Sequence, residues 1–205
     1  SLKAQEFLEK SDVKVLTHAK AVGCDEDTVY IDSGNNIKTK MIIWTAGIKG
    51  NLIDGFDNEV YTRSGRIIVD VNNRIKGYED IFAIGDIACM AEGKYPNGHP
   101  QVAQVAIQQA KLLADNLKRN LAGKPEKEFR YRDLGTMATI GRHLAVVELP
   151  FVHFQGIFAW YVWMFIHLMS IVGVRNKLII FFNWAWKYIT YDQSTRLILR
   201  PKGYS

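Results

Sequence analysis

The chain has 205 residues, 23% of them charged and 48% hydrophobic, a balance that fits a folded protein with a sizeable core and excludes a disordered one. Its formal net charge of +5 is unevenly placed: residues 1–125 hold 16 basic and 16 acidic side chains, whereas residues 126–205 hold 10 and 5. That excess points to an anionic surface, membrane or nucleic acid, beneath the C-terminal part.

Cys24 and Cys89 are far apart, and no CxxC or Cys/His cluster accompanies them. They read as reduced cytosolic thiols, with no zinc site and no redox-active disulfide. No signal peptide is legible at the N-terminus. The chain starts without Met and enters at once on helix-like sequence, which points to a piece of something longer.

Ser1–Lys10 has the pattern of an amphipathic helix, with Ser1 as a cap and Leu2, Phe7 and Leu8 turned inward. Val13–Leu16, Ala19–Cys24 and Thr28–Ile31 are short β-type runs, and Asp32–Asn36 is a hairpin signal. Met41–Trp44 is a continuous apolar run expected as a buried strand. It stops at Thr45-Ala46-Gly47, small residues that let a backbone come close to a ligand or a crossing chain.

Arg66–Asp70 is a further short strand, and Ile81–Ile84 is expected as a buried strand that ends at Gly85 and presents Asp86. After a loop rich in Gly and Pro at Glu92–Pro100, a helix is predicted over Gln101–Leu121. Val102, Val105, Ala106, Leu112, Leu113 and Leu117 recur along it at helical spacing, and Gly123 and Pro125 stop it. An acid at a strand end can accept hydrogen bonds from sugar-like hydroxyls. A helix N-terminus beside it can face electron-rich atoms with its amide groups and positive dipole end. A plain strand–loop–helix crossover has the same spacing.

Composition changes after Pro125. Phe129–Asp133, Met137–Gly141 and His143–Glu148 alternate like strands, with a Gly141-Arg142 turn. Gly156–Val174 is a run of 19 residues without formal charge, broken only by His167, at the lower limit for crossing a bilayer. Asn176–Ile189 is a broad apolar, aromatic segment bracketed by Arg175, Lys177 and Lys187, the pattern of a helix lying in the membrane interface. A core helix pair and a dimer interface are the other readings. Nucleic acid is disfavoured because the basic residues are not clustered. A short strand at Thr195–Leu199 and a basic tail at Arg200 and Lys202 close the chain.

In this order the pieces resemble the type II NADH:quinone oxidoreductases, single-subunit flavoenzymes on a two-dinucleotide-domain plan. The residues that carry the resemblance are Ile43–Gly47, Phe82–Asp86, Ala103–Gln108, Tyr131–Gly135 with Met137–Gly141, and the aromatic C-terminal helices. The Gly-Asp pair is shared by many flavoproteins. The Ala-Gln-x-Ala-x-Gln helix start together with the aromatic C-terminal pair is more specific. No GxGxxG occurs anywhere in the chain, so both glycine-rich fingerprints of such a plan are missing.

The resemblance implies an α/β class, α+β in part: an incomplete two-dinucleotide-binding-domain flavoprotein fold with a C-terminal strand-plus-amphipathic-helix membrane-docking domain. It divides the chain into the end of an NADH-binding domain (1–46), the returning half of an FAD-binding domain (47–125) and the docking domain (126–205). The implied cofactors are FAD and NADH. Asp86 would bond the ribityl chain, Gly85 would allow close approach, and Ala103, Gln104, Val105 and Ala106 would meet the flavin ring. Thr45 and Gly47 join this cofactor-binding set. Gln104 and Gln108 are the candidate catalytic amides, on the quinone and nicotinamide faces, where they can bond a quinone oxygen without fixing a charge.

The implied partners are a membrane quinone, the membrane surface through residues 156–189, and a second copy in a homodimer, with no nucleic acid. The implied location is peripheral, on the cytoplasmic face of the inner membrane, with no proton pumping and with the 205 residues inactive alone. A soluble reductase of the same plan, or a non-catalytic membrane-surface or dimerisation module, are the alternatives. A sulfide:quinone reductase would need paired redox cysteines and ranks lower. The resemblance puts His167 near the quinone channel; a lone His in an apolar run is more often a satisfied core residue.

Overall fold

The computed structural model describes residues 2–141, 143–171 and 173–190. Ser1 as a cap, Arg142 of the expected turn, the strand at Thr195–Leu199, and Arg200 and Lys202 of the tail lie outside these. The elements in order are α1 (Leu2–Glu9), β1 (Ala21–Cys24), β2 (Thr28–Ile31), β3 (Ile37–Lys38), β4 (Ile67–Ile68), β5 (Ala88–Cys89) and α2 (Ala103–Leu121). β6 (Thr136–Ile140), β7 (Leu144–Glu148), β8 (His153–Gly156), α3 (Ile157–Ser170) and α4 (Val174–Thr190) follow. The chain forms two compact units, Thr17–Leu134 and a second made of residues 1–16 with 135–205.

In the first unit β1, β2 and β3 form an antiparallel sheet in that order. Gly34 takes the positive φ (+82°) that the turn between β2 and β3 requires. β4 and β5 pair in parallel, Ile67 with Ala88 and Ile68 with Cys89. Around them a core gathers Val60, Ile67, Val69, Ile75, Met90, Val105 and Phe129. α2 contributes a face centred on Val105, Gln109 and Asn116, spaced by four and seven residues as one helical stripe requires. Leu117, expected on that stripe, is exposed instead, one position around the helix from Asn116. The helix ends as its glycine predicts. Gly123, at φ +64°, donates to Asn120 O at 3.0 Å and Lys124 to Arg119 O at 2.8 Å, the paired bonds of a Schellman stop.

Several expected strands do not form. Ile81–Ile84 is extended but joined only by isolated contacts: Arg74 bridges Phe82, and the Ala83 amide donates to Asn73 O at 3.0 Å. Only Ala83 of the four is buried, because the neighbouring backbone is a turn-rich meander without a continuous ladder. Met41–Trp44 is neither strand nor buried, and Trp44 is 68% exposed. Among the described residues no strand pairs with this run and no layer covers it. Val13–Leu16 is likewise irregular. α2 starts at Ala103, two residues later than expected, because Val102 stands in extended backbone at φ −136° and ψ 149°.

Phe129–Asp133 also lacks strand pairing. The Phe129 amide donates to Val71 O at 2.8 Å, and side-chain amides hold the backbone on either side of it. Asn116 Oδ1 accepts from Lys127 N at 2.9 Å while its Nδ2 donates to Lys127 O at 2.8 Å. Gln108 does the same to Arg132, at 3.0 and 2.9 Å. The segment is also anchored by Arg74, whose guanidinium donates two bonds of 2.5 Å to the Glu126 carboxylate.

The Arg74 bonds, helped by Asn120, push the Glu126 pKa from its ordinary 4.5 down to about 2. A carboxylate depressed on folding adds stability that is fully present above about pH 4.5 and is lost as pH falls toward 2. Glu126→Gln is therefore expected to flatten the acid limb between those values. Urea midpoints at pH 6, 4 and 3 check this, and parallel wild-type and variant curves would refute it.

In the second unit β6, β7 and β8 form an antiparallel sheet with β7 central, Met137 opposite Val147 and Val146 opposite Gln155. β8 was not legible as a strand. Ala145 and Val147 on β7 pack with Ala159 of α3, flanked by Trp160 and Trp163. Gly156, at φ +89°, is both the last residue of β8 and the residue that caps α3, so strand passes to helix with no linker. α1 forms as expected with Phe7 and Leu8 half-buried, but Leu2 is 81% exposed and not turned inward. The apolar run over 156–174 breaks after Ser170. No helix among the described residues is long and apolar enough to cross a membrane.

Candidate functional site

Asp86 stands in a single 3-10 turn, Gly85–Ile87, packed against the start of α2. Gly85 sits at φ +75°, in the left-handed region, and a Cβ there would lie 3.4 Å from the Ala106 methyl. A side chain would be strained by the backbone and would press on the helix. The Gly85 amide donates to Gln109 Oε1 at 2.7 Å, and Gln101 Nε2 donates to Asp86 O at 2.9 Å. Two glutamines thus sew the turn to the helix, while the exposed Asp86 carboxylate takes no hydrogen bond among the described residues. Beside it α2 begins at Ala103, and Val102 before it, at the N-cap, offers no side-chain cap.

Gly85, Asp86, Val105 and Ala106 come together here, Val105 buried behind the others and Ala103 exposed at the helix start. Gln104 accepts from Leu134 N at 3.1 Å, and Gln108, one turn on, clasps Arg132. Both candidate catalytic amides are therefore held by the backbone of 132–134. A carboxamide can make four hydrogen bonds, and the clasp uses one donor and one acceptor of Gln108. Thr45 and Gly47 are on the exposed 41–49 stretch, where the Gly47 amide bonds Thr45 O at 2.9 Å. No hydrogen bond among the described residues joins them to the Asp86 group.

Sequence reasoning gave no role to the buried polar residues that support this corner. Arg66 Nη2 donates to Ala88 O and His99 O, at 2.5 and 3.0 Å, tying β5 to the loop that leads into α2. His99 is fully buried among Tyr95, Phe129 and Tyr131, with ring centroids 4.5 to 5.4 Å away. Its Nε2 is 2.9 Å from Glu92 Oε1, though not aligned for a hydrogen bond. Burial pushes the imidazole below its ordinary pKa, with Glu92 acting against that and Arg66 reinforcing it. The available signal was on α2. Polar Gln109 and Asn116 share the stripe of Val105 and Leu112, and an amide on an apolar stripe implies a buried partner.

The second unit carries a different surface. α3 and α4 border an apolar groove of about 510 Å³ lined by Trp160, Trp163, Phe181, Trp184 and Tyr188 among others. Trp163 stacks on His167 at 4.3 Å and on Trp184 at 6.2 Å. His167 Nδ1 lies 2.8 Å from Trp163 O. A carbonyl only accepts, so this nitrogen carries the proton and the histidine is satisfied within its own helix. Outside the groove Phe165, Leu178, Phe182 and Trp186 are exposed, the last two each 65%. So broad an exposed apolar face is uncommon on a folded unit.

Comparison with known proteins places this architecture. Residues 1–110 match the model of the pyridine nucleotide-disulphide oxidoreductase family, and residues 134–190 match the NDH2 C-terminal domain. A type II NADH:quinone oxidoreductase of Mycobacterium tuberculosis, NdhA, is 34% identical over 201 residues, covering 92% of this chain and 42% of that protein. The type II NADH:quinone oxidoreductase of Staphylococcus saprophyticus is 30% identical over 68% of this chain and 35% of that protein. Among solved structures, NDH2 from Plasmodium falciparum in complex with NADH superposes with a TM-score of 0.77 at 17% identity, over 92% of this chain and 54% of that one. The sulfide:quinone oxidoreductase of Aquifex aeolicus follows at 0.61 and 16%, over 91% and 44%.

The chain belongs to the pyridine nucleotide-disulphide oxidoreductases, and within them its similarity runs to the type II NADH:quinone oxidoreductases. Its fold is accordingly part of a dinucleotide-binding flavoprotein fold. It spans about two fifths of the length of the curated relatives named here.

Proposed function

We propose that the chain is part of a membrane-associated flavoenzyme that passes electrons from NADH through FAD to a membrane quinone, without proton pumping. The observation that carries this is the Gly85–Asp86 turn, sewn beside the uncapped start of α2 with its carboxylate unengaged. An exposed acid next to a helix N-terminus fits a ligand that joins hydroxyls to an electron-rich ring. When bound, FAD supplies the ring that accepts hydride from NADH and passes electrons on. Asp86 accepts hydrogen bonds from ribityl hydroxyls, Gly85 lets the backbone approach, and Ala103, Gln104, Val105 and Ala106 border the ring. The α2 dipole favours negative charge there. Gln104 and Gln108, steadied by the backbone of 132–134, orient the quinone through amide hydrogen bonds. Thr45 and Gly47, on the exposed 41–49 stretch, complete the cofactor-binding set.

In this reading residues 1–46 close an NADH-binding domain, 47–125 are the returning half of the FAD domain, and 126–205 dock on the membrane. The exposed faces of α3 and α4 lie in the lipid interface, on the cytoplasmic side of the inner membrane, with room for a second copy. α3, at 14 residues, is about 21 Å long against a hydrocarbon core of roughly 30 Å, which favours lying on the bilayer over crossing it. Because the chain has no GxGxxG, it lacks the usual pyrophosphate cradle and is inactive alone.

The full-length protein tests this. It is expected to purify with flavin, to reduce a soluble quinone with NADH, and to float with anionic liposomes. Phe182→Asp with Trp186→Asp is expected to abolish flotation while leaving NADH oxidation by a soluble acceptor intact. Protein without flavin would overturn the enzyme, and flotation unchanged by the double variant would overturn the docking face.

A further inference from the structure

We propose that Gln109 and Gln101 are positioning residues that aim the Asp86 carboxylate at its ligand without touching the ligand themselves. The proposal rests on the flavin reading of this corner. Gln109 is 1% exposed, between Val105 and Leu112 on the buried stripe of α2. Burying a carboxamide there is unfavourable unless it is bonded, and an apolar side chain of the same length would fill the place at less cost. The bond it makes is to the Gly85 amide, at 2.7 Å.

Gln101 acts from the other side, 2.9 Å from the carbonyl of Asp86 itself. The peptide unit that enters Gly85 and the one that leaves Asp86 are therefore both pinned, and the two-residue step between them limits the direction of the Asp86 Cβ. The carboxylate is aimed through the backbone and keeps all its acceptor sites for the ligand. Gly85 makes this possible. At φ +75° it turns its amide toward the helix, a conformation that residues with a Cβ rarely hold. The two glutamines come from different supports, Gln109 from the second turn of α2 and Gln101 from the loop before it. The acid and the helix start thus move as one piece. Binding groups must be held to within about 0.5 Å to act together.

The experiment uses full-length protein stripped of flavin and titrated with FAD, following the flavin fluorescence, with thermal midpoints of the stripped and loaded forms. Gln109→Met and Gln101→Leu are each expected to weaken FAD binding roughly tenfold, the worth of one well-placed hydrogen bond, and to shrink the rise in midpoint that FAD produces. Gln109→Glu, which still offers an oxygen to the Gly85 amide, is expected to recover most of the affinity. A role in stability alone would lower both midpoints together and leave the FAD dissociation constant within twofold of wild type in both variants, and that result would overturn the assignment. Should Gln109→Met fail to fold, the half-exposed Gln101→Leu decides by the same criterion. Wild-type protein that takes up no FAD would overturn the flavin reading and this assignment with it. Wild type that binds FAD with both variants unchanged would overturn this assignment alone.

Discussion

Alanine at Gly135 is expected to destabilise the full-length protein by roughly 3–5 kcal/mol, among the larger losses a single substitution causes. Gly135 precedes β6 at φ +89°, and a Cβ on it would lie 2.3 Å from Glu148 O and 2.8 Å from Leu149 Cα. Both obstacles are backbone, so no side-chain rotation relieves them, and the left-handed conformation alone costs about 1–2 kcal/mol. The strand must either leave its register with β7, where Thr136 faces Glu148, or push the end of β7 away. Gly141 is the control: its φ is +65° but nothing lies within 4 Å of an added Cβ. Gly141→Ala is expected to lose only the conformational part, about 1 kcal/mol. Urea midpoints of the two variants separate the contributions, and equal losses would refute the steric account.

Asn116→Leu is expected to cost about 2–4 kcal/mol. Leucine is close in size, so the loss comes from stranding the amide and carbonyl of Lys127 on the side where the buried Asn116 shields them in part from water. Asn72 also donates to Lys127 O at 2.9 Å, so the amide of Lys127 suffers more than its carbonyl. Gln108→Leu removes the same two-bond clasp at Arg132, but that site is open to water, and solvent can replace the bonds. Its cost is expected to stay within about 1 kcal/mol. Chemical unfolding of both variants tests the contrast. If Gln108→Leu proves as damaging as Asn116→Leu, the two clasps are equivalent and burial does not govern their strength.

Much of the outline was legible because its signals are local. Asp32–Asn36 marked the β2–β3 turn, Gly123 the end of α2, and the Gly85-Asp86 pair the end of an extended run. The parts that were not legible depend on what lies alongside. Met41–Trp44 has the composition of a strand, yet a strand needs a neighbour to bond, and its apolar side chains are exposed instead. Phe129–Asp133 alternates like a strand but is gripped by the amides of α2, which no periodicity encodes. β8 was hidden because His153-Phe-Gln-Gly156 is short and runs directly into a helix. At the site, Asp86 and the α2 start followed from spacing. The Gln109 and Gln101 bonds depend on which way two glutamines point, and only coordinates give that.

The junction at Gly156 leaves the second unit no slack in its length. β8 bonds β7 through Gln155 and Phe154, and α3 begins at the next residue after Gly156. The rotational phase of the helix is therefore dictated by the register of the sheet. One residue added or removed between Phe154 and Ala159 would turn α3 by about 100°, swinging Ala159 off β7 and bringing a bulky neighbour against it. At Gly156 the strand and the helix are geared together, so the count of residues across the junction decides which way the exposed apolar face of α3 points.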